Sequence, residues 1–320
     1  MPAGEGRGAV VVGVDRASAD DAVDWAAAEA ATRCAPLVIV HAFRRPLVLE
    51  PYGAMPAVDL GRPVPESAEQ IVLTAVQRAR AVAPDVELSA QLVSGAQSRV
   101  LGDLSRQAAL LVLGGRPLSG RRDLPHRSAS ERLAGRAHCP VVVVRSRAAV
   151  RPEVCRPRVV LGIGPAPAGA ATIGFAFRAA AQRGIPLTAV HAWQRDLPAD
   201  AEGACERPAA TEASARVALD RLLEYWGKRF ADVPVEPKLL PGDPAAALIA
   251  ESVGAALVVV GSRGRGPVRN RLLGSVGRTL VRRAHGPVVV VGRDGAAPGG
   301  RPSSADGRST RGAWNEKWAR

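Results

Sequence analysis

The sequence carries one pattern twice. Four apolar segments of the first half recur in the same order in the second half, at an offset of 147–150 residues. They begin at Ala9, Leu37, Leu110 and Arg136, and again at Arg158, Leu187, Leu257 and Arg283. Because order and spacing are both kept, the chain is a tandem duplication, and a fold assigned to one copy applies to the other. We call residues 8–146 copy 1 and residues 157–292 copy 2.

The apolar residues of each copy fall into short continuous runs, separated by longer Ala-rich stretches of helical period. Continuous runs of Val, Leu and Ile are typical of strands covered on both faces, as in parallel sheets. Residues 18–33 predict a helix that starts at a capping serine, and residues 170–183 predict its equivalent, stopped by Gly184 and Pro186. Each copy therefore predicts the order β-α-β-α-β-α-β-α-β. The predicted fold class is α/β, with two repeated, doubly wound, five-stranded parallel-sheet domains of Rossmann-like sandwich type.

Three segments lie outside this alternation. Residues 146–157 join the two predicted domains, 8–146 and 157–292. Residues 44–65 contain many prolines and few periodic apolar residues, and they predict a long loop before the second helix of copy 1. Residues 293–320 are rich in Gly, Pro, Ser and Arg and have no period, so they predict a disordered tail.

The composition excludes several classes of protein. Hydrophobic residues make up 47% and charged residues 23% of the chain, the balance of a globular protein with a core. No apolar run approaches the ~18–20 residues that span a bilayer, and the first seven residues lack the build of a signal peptide. We therefore expect a cytoplasmic protein with four reduced cysteines. No two cysteines are spaced as CxxC, so no metal site is predicted.

The formal charge of +13 comes almost entirely from arginine, since lysine occurs only at positions 228, 238 and 317. An Arg-, Ala-, Gly- and Pro-rich composition is typical of a GC-rich genome. A basic surface attracts polyanions, but aromatic residues are only 3% and no nucleic-acid-binding motif is present. The sequence therefore predicts neither a nucleic acid nor a membrane as the main partner.

The segment with the clearest chemistry follows the fourth strand of copy 2. It reads Gly261-x-x-Gly264, then nine residues, then Gly274-Ser275. Glycines let backbone N–H groups approach an anion closely, and a helix that begins near Ser275 points its free N–H groups and its dipole at that anion. Arg263 adds positive charge. The loop leaves the carboxyl end of a strand, where open α/β sheets bind their ligands.

Each of these residues also has a plainer interpretation. The glycines can serve as ordinary turn residues, Asp15 as a helix cap, and Arg263 as part of a solvated basic loop. His41 and His191 stand at strand ends with no Ser or Cys nucleophile nearby in sequence. We expect them to be buried or half-buried, hydrogen-bonded histidines without a catalytic role.

The spacing of Gly261, Gly264, Gly274 and Ser275 resembles the ATP-binding signature of the universal stress protein (UspA) family. Other parts of the chain resemble the same family: the first strand and acidic turn at residues 11–18, the Val-His-Ala ends of both second strands, and the turn at residues 242–245. The likeness covers both copies. It implies an adenine-nucleotide alpha-hydrolase-like fold and a small cytoplasmic stress-response protein, usually dimeric. Some members bind ATP, and no common catalytic activity is established for the family.

The resemblance also implies roles for single residues, and the copies differ in which they keep. In ATP-binding members an aspartate that closes strand one contacts the nucleoside, the end of strand two borders the adenine, and the glycine loop holds the phosphates. Copy 1 keeps Asp15 and Ala42, but its loop has Pro117 and Arg127 in place of two glycines, leaving Ser128. Copy 2 has Gly164 where the aspartate is expected. Its implied contacts are Gly261, Ser262, Arg263, Gly264, Gly274, Ser275, Val276, Ala192, Ile163 and Gly164.

The sequence and the resemblance together predict a non-catalytic protein of stress response or signalling that binds ATP, with or without Mg²⁺, in copy 2. The two copies are expected to pair as a pseudo-dimer, and a homodimer of chains stays open. The alternative is a ligand-free tandem scaffold that mediates protein–protein interaction. A slow ATPase ranks lowest, because no general base or metal-binding carboxylate stands near the loop, and neither a P-loop nor a complete Rossmann fingerprint is present.

Overall fold

The computed structural model describes the greater part of both copies. The described residues are 8–15, 20–43, 48–50, 53–55, 66–115, 128–145, 157–164, 169–193, 212–262 and 273–292. The expected linker, the expected tail and most of the predicted loop at 44–65 lie outside these ranges. Within the described residues, no helix combines the length and the apolar character needed to cross a bilayer.

Copy 1 follows the predicted alternation of strands and helices, with one addition. Within the predicted loop at 44–65, two three-residue strands pair antiparallel as a small separate sheet. The elements of copy 1 are β1 (Val10–Gly13), α1 (Asp20–Arg33), β2 (Leu37–Phe43), β3 (Val48–Glu50), β4 (Gly53–Met55), α2 (Glu66–Val82), β5 (Leu88–Ser94), α3 (Gln97–Leu104), β6 (Leu110–Gly115), α4 (Ala129–Ala134) and β7 (Val141–Arg145).

Copy 2 repeats the same order without the small hairpin among its described residues. Its elements are β8 (Val159–Ile163), α5 (Ala170–Arg183), β9 (Leu187–Trp193), α6 (Glu212–Gly227), β10 (Val235–Pro241), α7 (Pro244–Glu251), β11 (Leu257–Gly261), α8 (Ser275–Arg283) and β12 (Val288–Val291). The predicted α/β class of two repeated, doubly wound, five-stranded parallel domains is confirmed.

The two five-stranded sheets join edge to edge into one sheet of ten strands, in the order β10-β9-β8-β11-β12-β7-β6-β1-β2-β5. In this sheet all pairs within a copy are parallel, and β12 pairs antiparallel with β7. Val142 lies opposite Val289, its equivalent in the other copy, so a pseudo-two-fold axis passes between them. The copies therefore form the expected pseudo-dimer within one chain. Since their strands run in opposite directions, the carboxyl edges of the two half-sheets face opposite ways.

The core is built on both faces of the sheet, which is why the strands are apolar throughout. Val10 and Val12 face a layer formed by α1, α2, α5 and α6, whereas Val11 faces α3, α4, α7 and α8. The largest fully buried side chain is Phe177 of α5, which stacks against Trp226 of α6 with ring centroids 6.0 Å apart. Each helix layer is continuous across the two copies.

Strand glycines allow one helix of each copy to lie close against the sheet. A Cβ on Gly13 would lie 2.6 Å from Cδ1 of Leu101 in α3, and a Cβ on Gly162 would lie 2.8 Å from Cδ1 of Leu248 in α7. These distances are shorter than van der Waals contact. A side chain at either position would force the terminal methyl groups of the facing leucine to move, so the glycines favour this close packing, which the sequence did not predict.

The residue that ends the first helix differs between the copies and gives a prediction. Gly184 ends α5 in the left-handed conformation, with φ 61°, and Cys34 ends α1 in the same conformation, with φ 48°. A side chain in this region costs roughly 1 kcal/mol relative to glycine. We expect Cys34→Gly to raise the free energy of unfolding by about 0.5–1 kcal/mol, part of the gain being lost to the more flexible unfolded chain. Urea denaturation followed by circular dichroism measures the change.

Gly184→Ala is the matched control, because it places a side chain at the equivalent position. It is expected to lower the free energy of unfolding by about 1 kcal/mol. A Cys34→Gly variant no more stable than the parent would show that the exposed Cys34 side chain makes contacts that offset the backbone strain.

Candidate functional site

The candidate site of copy 2 lies at the carboxyl edge of its half-sheet, between β8 and β11. These adjacent strands are followed by helices on opposite faces of the sheet, α5 on one and α8 on the other. This is the topological switch point of a doubly wound sheet, where a crevice opens. Ile163 and Gly164 end the first of these strands, Gly261 and Ser262 end the second, and Ala192 lies near the end of the neighbouring β9.

The base of the glycine loop is closed by two backbone hydrogen bonds. The Ser262 N–H donates to the Val291 carbonyl at 2.9 Å, and the Gly274 N–H donates to the Ser262 carbonyl at 3.0 Å. Arg263 and Gly264 lie outside the described residues. The amides of Ser262 and Gly274 are already paired, so the predicted nest of free amides does not extend to these two residues.

Among the described residues of this region, the backbone donors left free lie at the start of α8. Gly274 is the N-cap and provides no side-chain hydrogen bond, and the first turn contains no acidic residue. The N–H groups of the first turn have no partner within a helix, so those of Ser275, Val276 and Gly277 point out of the helix end. Ser275 is exposed and Val276 is half-buried against the apolar layer.

A second helix begins at the same crevice. The N-cap of α5 is Gly169, which makes no side-chain hydrogen bond, and the first turn of α5 is also free of acidic residues. A Cβ on Gly261 would lie 3.3 Å from Oγ1 of Thr172, so the first turn of α5 lies against the end of β11. Two positive helix ends, neither capped by a side chain, therefore face the crevice of copy 2.

The equivalent helices of copy 1 begin differently. The first turn of α1 contains Asp20 and Asp21, and α4 is capped by Ser128, whose Oγ accepts from the Glu131 N–H at 3.1 Å. Ser128 is the sequence equivalent of Ser275. Ser128 precedes its helix and accepts a hydrogen bond as the N-cap, whereas Ser275 is the first residue of α8. Ser130 also donates its hydroxyl to the Gly114 carbonyl at 3.1 Å. The helix starts of copy 1 carry first-turn acids, whereas the described residues at the helix starts of copy 2 provide neither an acid nor a side-chain cap.

Asp15 lies in copy 1 beside a cleft of about 520 Å³ between α1 and α2. The described residues that line the cleft include three carboxylates and no Lys or Arg: Asp15, Asp20, Val23, Glu66, Ser67, Gln70, Ile71, Thr74 and Ala75. Three carboxylates would repel a triphosphate. Because the two half-sheets run antiparallel, Asp15 lies at the opposite edge of the ten-stranded sheet from the glycine loop, and the two are not brought together. Pro117 and Arg127, the expected defects of the copy 1 loop, lie outside the described residues.

Both strand-end histidines are hydrogen-bonded to backbone, as expected. His41 Nδ1 lies 2.8 Å from the Val14 carbonyl oxygen, and His191 Nδ1 lies 2.9 Å from the Ile163 carbonyl oxygen. A carbonyl only accepts hydrogen bonds, so Nδ1 carries the proton in both rings. Each histidine fixes the end of strand one against the end of strand two, and so positions the mouth of the crevice.

Gly164, directly after β8, differs from the strand glycines Gly13 and Gly162. A Cβ added there would meet no atom of the described residues within 4 Å. The site would therefore accommodate the aspartate that the sequence lacks at this position. One further difference between the copies is visible in the sequence but was not used in the prediction. Acids occur in the first turns of α1 and α4 and are absent from the first turns of α5 and α8.

Comparison with known proteins gives one consistent family. The model of the universal stress protein family matches residues 7–145 and 156–292. Universal stress protein Rv2005c of Mycobacterium tuberculosis is 37% identical over 292 residues, covering 88% of this chain and 96% of that protein. Universal stress protein Rv2623 of the same organism is 33% identical over 300 residues, covering 91% and 98%. The crystal structure of a universal stress protein from Archaeoglobus fulgidus has a TM-score of 0.63 at 17% identity, covering 89% and 96%.

Proposed function

This chain belongs to the universal stress protein family, and on that premise we propose that copy 2 binds an adenine nucleotide and that binding controls association with a partner protein, without catalysis. The observation that carries the proposal is the contrast between the helix starts. In copy 2, α5 and α8 both begin at the crevice without a side-chain cap and without an acid. In copy 1 the equivalent helices carry Asp20, Asp21 and Glu131 in their first turns.

The phosphates are assigned to this crevice because it offers uncompensated positive potential. A helix start carries about half a positive charge, and an anion there gains about 0.3–1 kcal/mol, or up to ~2 kcal/mol when partly buried. Two such ends, with the N–H groups of Ser275, Val276 and Gly277 as donors, suit a group with several negative charges. In copy 1, carboxylates of the protein itself already lie at the helix starts and offset their positive charge, so we assign no nucleotide to copy 1.

The nucleoside is assigned to the ends of β8 and β9, at Ile163 and Ala192. This part rests on the resemblance of the strand ends to those of ATP-binding family members. Gly164 provides no carboxylate for the ribose or base. A hydrogen bond to a charged group contributes about 1.5–3 kcal/mol, so its lack weakens binding by about tenfold or more. We propose ATP, with or without Mg²⁺, as the ligand, held weakly and with relaxed selection of the base.

Isothermal titration with ATP, in the presence and absence of Mg²⁺, tests the proposal. Gly274→Arg places a long cationic side chain at the N-cap of α8 and introduces the residue that copy 1 has at the equivalent sequence position, Arg127. It is expected to weaken binding by at least about tenfold through obstruction of the amides. Gly164→Asp restores the missing carboxylate in open space and is expected to tighten binding by about tenfold.

Gly227→Arg is the matched control, since it adds the same charge at the end of α6, where a Cβ meets nothing within 4 Å. It is expected to bind ATP as the parent does. A parent protein that gives no binding heat at millimolar ATP would contradict the nucleotide assignment and favour the ligand-free scaffold. Metal-dependent release of phosphate above a buffer blank would contradict the non-catalytic part.

A further inference from the structure

Within the part of the chain that the structure describes, two ion pairs cross the boundary between the copies, one on each face of the sheet. On the first face, Glu29 of α1 is only 2% exposed. Its carboxylate accepts from Nε of Arg33 at 2.5 Å and from the guanidinium of Arg183 in α5 of copy 2. Burial lowers the pKa of the Arg183 guanidinium from its ordinary value, and the Glu29 carboxylate opposes that shift. Copy 1 supplies the acid of this pair.

The second ion pair joins α4 to α8. Both oxygens of Glu131 accept from Arg282, Oε1 from Nε at 2.7 Å and Oε2 from the terminal nitrogen at 3.0 Å. The Glu131 side chain is 7% exposed. Such a two-bond pairing is specific for a planar guanidinium. Arg145 of β7 also donates to the Val281 carbonyl of α8 at 2.9 Å. Copy 1 again supplies the acid.

The pseudo-two-fold axis allows each of these residues to be compared with its equivalent. Arg33 and Arg183 are equivalent, but Glu29 corresponds to Ala179, which is buried. Glu131 corresponds to Arg278, and Arg282 corresponds to Gly135. The backbone pairing between the copies is symmetric, whereas the side-chain charges across it are not.

We propose that this interface selects its partner by charge, so that copy 1 pairs with a copy 2 and neither copy pairs with its own kind. Between two copies 1, each Glu131 would face Gly135 and lose the two-bond pairing that Arg282 provides. Between two copies 2, each Arg282 would face Arg278, and two Arg183 would meet with no carboxylate. The Arg282 side chain is 49% exposed, so the cost falls on the desolvated groups, Glu131 and Arg183, when each loses its partner of opposite charge. Specific interfaces exclude wrong partners by such repulsive placements.

The α4–α8 pair is the one that excludes both wrong pairings. A pairing of two copies 1 would still leave each Glu29 beside arginines, although a second carboxylate would have to replace the buried Ala179. The backbone contact of β7 with β12 would form equally well in all three pairings, because Val142 and Val289 are equivalent. The charges therefore decide which pairing forms. They ensure that each copy 2 is always accompanied by a copy 1, whose Glu131 holds α8 in place.

Exchange of the charges in the full chain tests the proposal. Glu131→Arg and Arg282→Glu each place like charges together and are expected to lower the thermal midpoint by about 5 °C or more. The double variant restores an opposite pair and is expected to recover at least half of that loss. Losses that simply add in the double variant would overturn the proposal, because independent sites give additive effects. Reversing the charge of the exposed Glu224, which pairs with Lys228 at the end of α6, is the control and should leave the thermal midpoint unchanged.

Cleavage of the folded protein tests the choice of partner directly. A protease recognition sequence placed within residues 146–156 allows the full chain to be cut after folding. Native mass spectrometry of the cut parent is expected to show one species with one half of each kind. The cut Glu131→Arg variant is expected to lose this species, and the cut double variant to regain it. Dimers of either half alone in the parent, or an intact complex in the Glu131→Arg variant, would overturn the proposal.

Discussion

Replacing Glu29 by alanine is expected to lower the free energy of unfolding by about 3 kcal/mol, the largest single effect on stability that we predict. The carboxylate is 2% exposed, while the Arg33 and Arg183 side chains that flank it are 18% and 17% exposed. Removing one partner from a buried ion pair costs about 3–5 kcal/mol, because the remaining charge stays desolvated. The arginines retain some access to water, which places the expected loss at the lower end of that range.

Urea denaturation of the full chain measures this loss. Asp220→Ala is the control, since Asp220 forms an exposed pair with Arg216 at 3.6 Å and exposed pairs contribute little. A second variant, Glu29→Gln, keeps the shape and removes the charge, and it separates lost charge from lost packing. A loss for Glu29→Ala no larger than that for Asp220→Ala would mean that the two arginines find water or other partners without cost.

Adding two carboxylates to the start of α5, by Ala170→Asp with Ala171→Asp, is expected to weaken ATP binding by about 100-fold. These positions correspond to Asp20 and Asp21 at the start of α1, so the change gives copy 2 the helix start of copy 1. Each carboxylate near a multiply charged phosphate costs about 1–2 kcal/mol at an effective dielectric constant of about 20, or roughly tenfold in Kd. Titration calorimetry at low salt measures the change.

The same substitutions should leave the fold intact, which makes the result easy to interpret. Acids in the first turn of a helix are stabilising by about 0.3–1 kcal/mol. Ala170 is exposed, and Ala171, at the edge of the core, is half-buried, as is its equivalent Asp21 in α1. Ala181→Asp with Gln182→Asp is the control, because it adds the same charge about 16 Å away along the same helix. Equal binding by the two double variants would mean that ATP, where it binds, does not use the start of α5.

The strand and helix order was predictable because it depends on local periodicity. Continuous apolar runs indicate strands buried on both faces, and the internal repeat doubled the information for every element. The hairpin of β3 and β4 was not predicted, since three-residue strands among prolines leave no readable period. The position of the glycine loop was predictable, since Gly261 ends β11 and Gly274 precedes α8. The pairing of the Ser262 and Gly274 amides could not be deduced from the sequence, and the assignment of a ligand to the loop stays a prediction.

The sequence by itself determined that two α/β units exist, where their strands and helices lie, and which copy keeps the glycine loop, because these features are encoded in neighbouring residues. Only the tertiary structure decided that the half-sheets join antiparallel, so that Asp15 and the loop lie at opposite edges. It also decided the partners of Glu29 and Glu131, which are separated from their arginines by 154 and 151 residues. Contacts between residues so far apart in sequence leave no local pattern, because they depend on how whole helices and strands pack. The sequence alone does not distinguish a solvated charged residue from one buried at an interface.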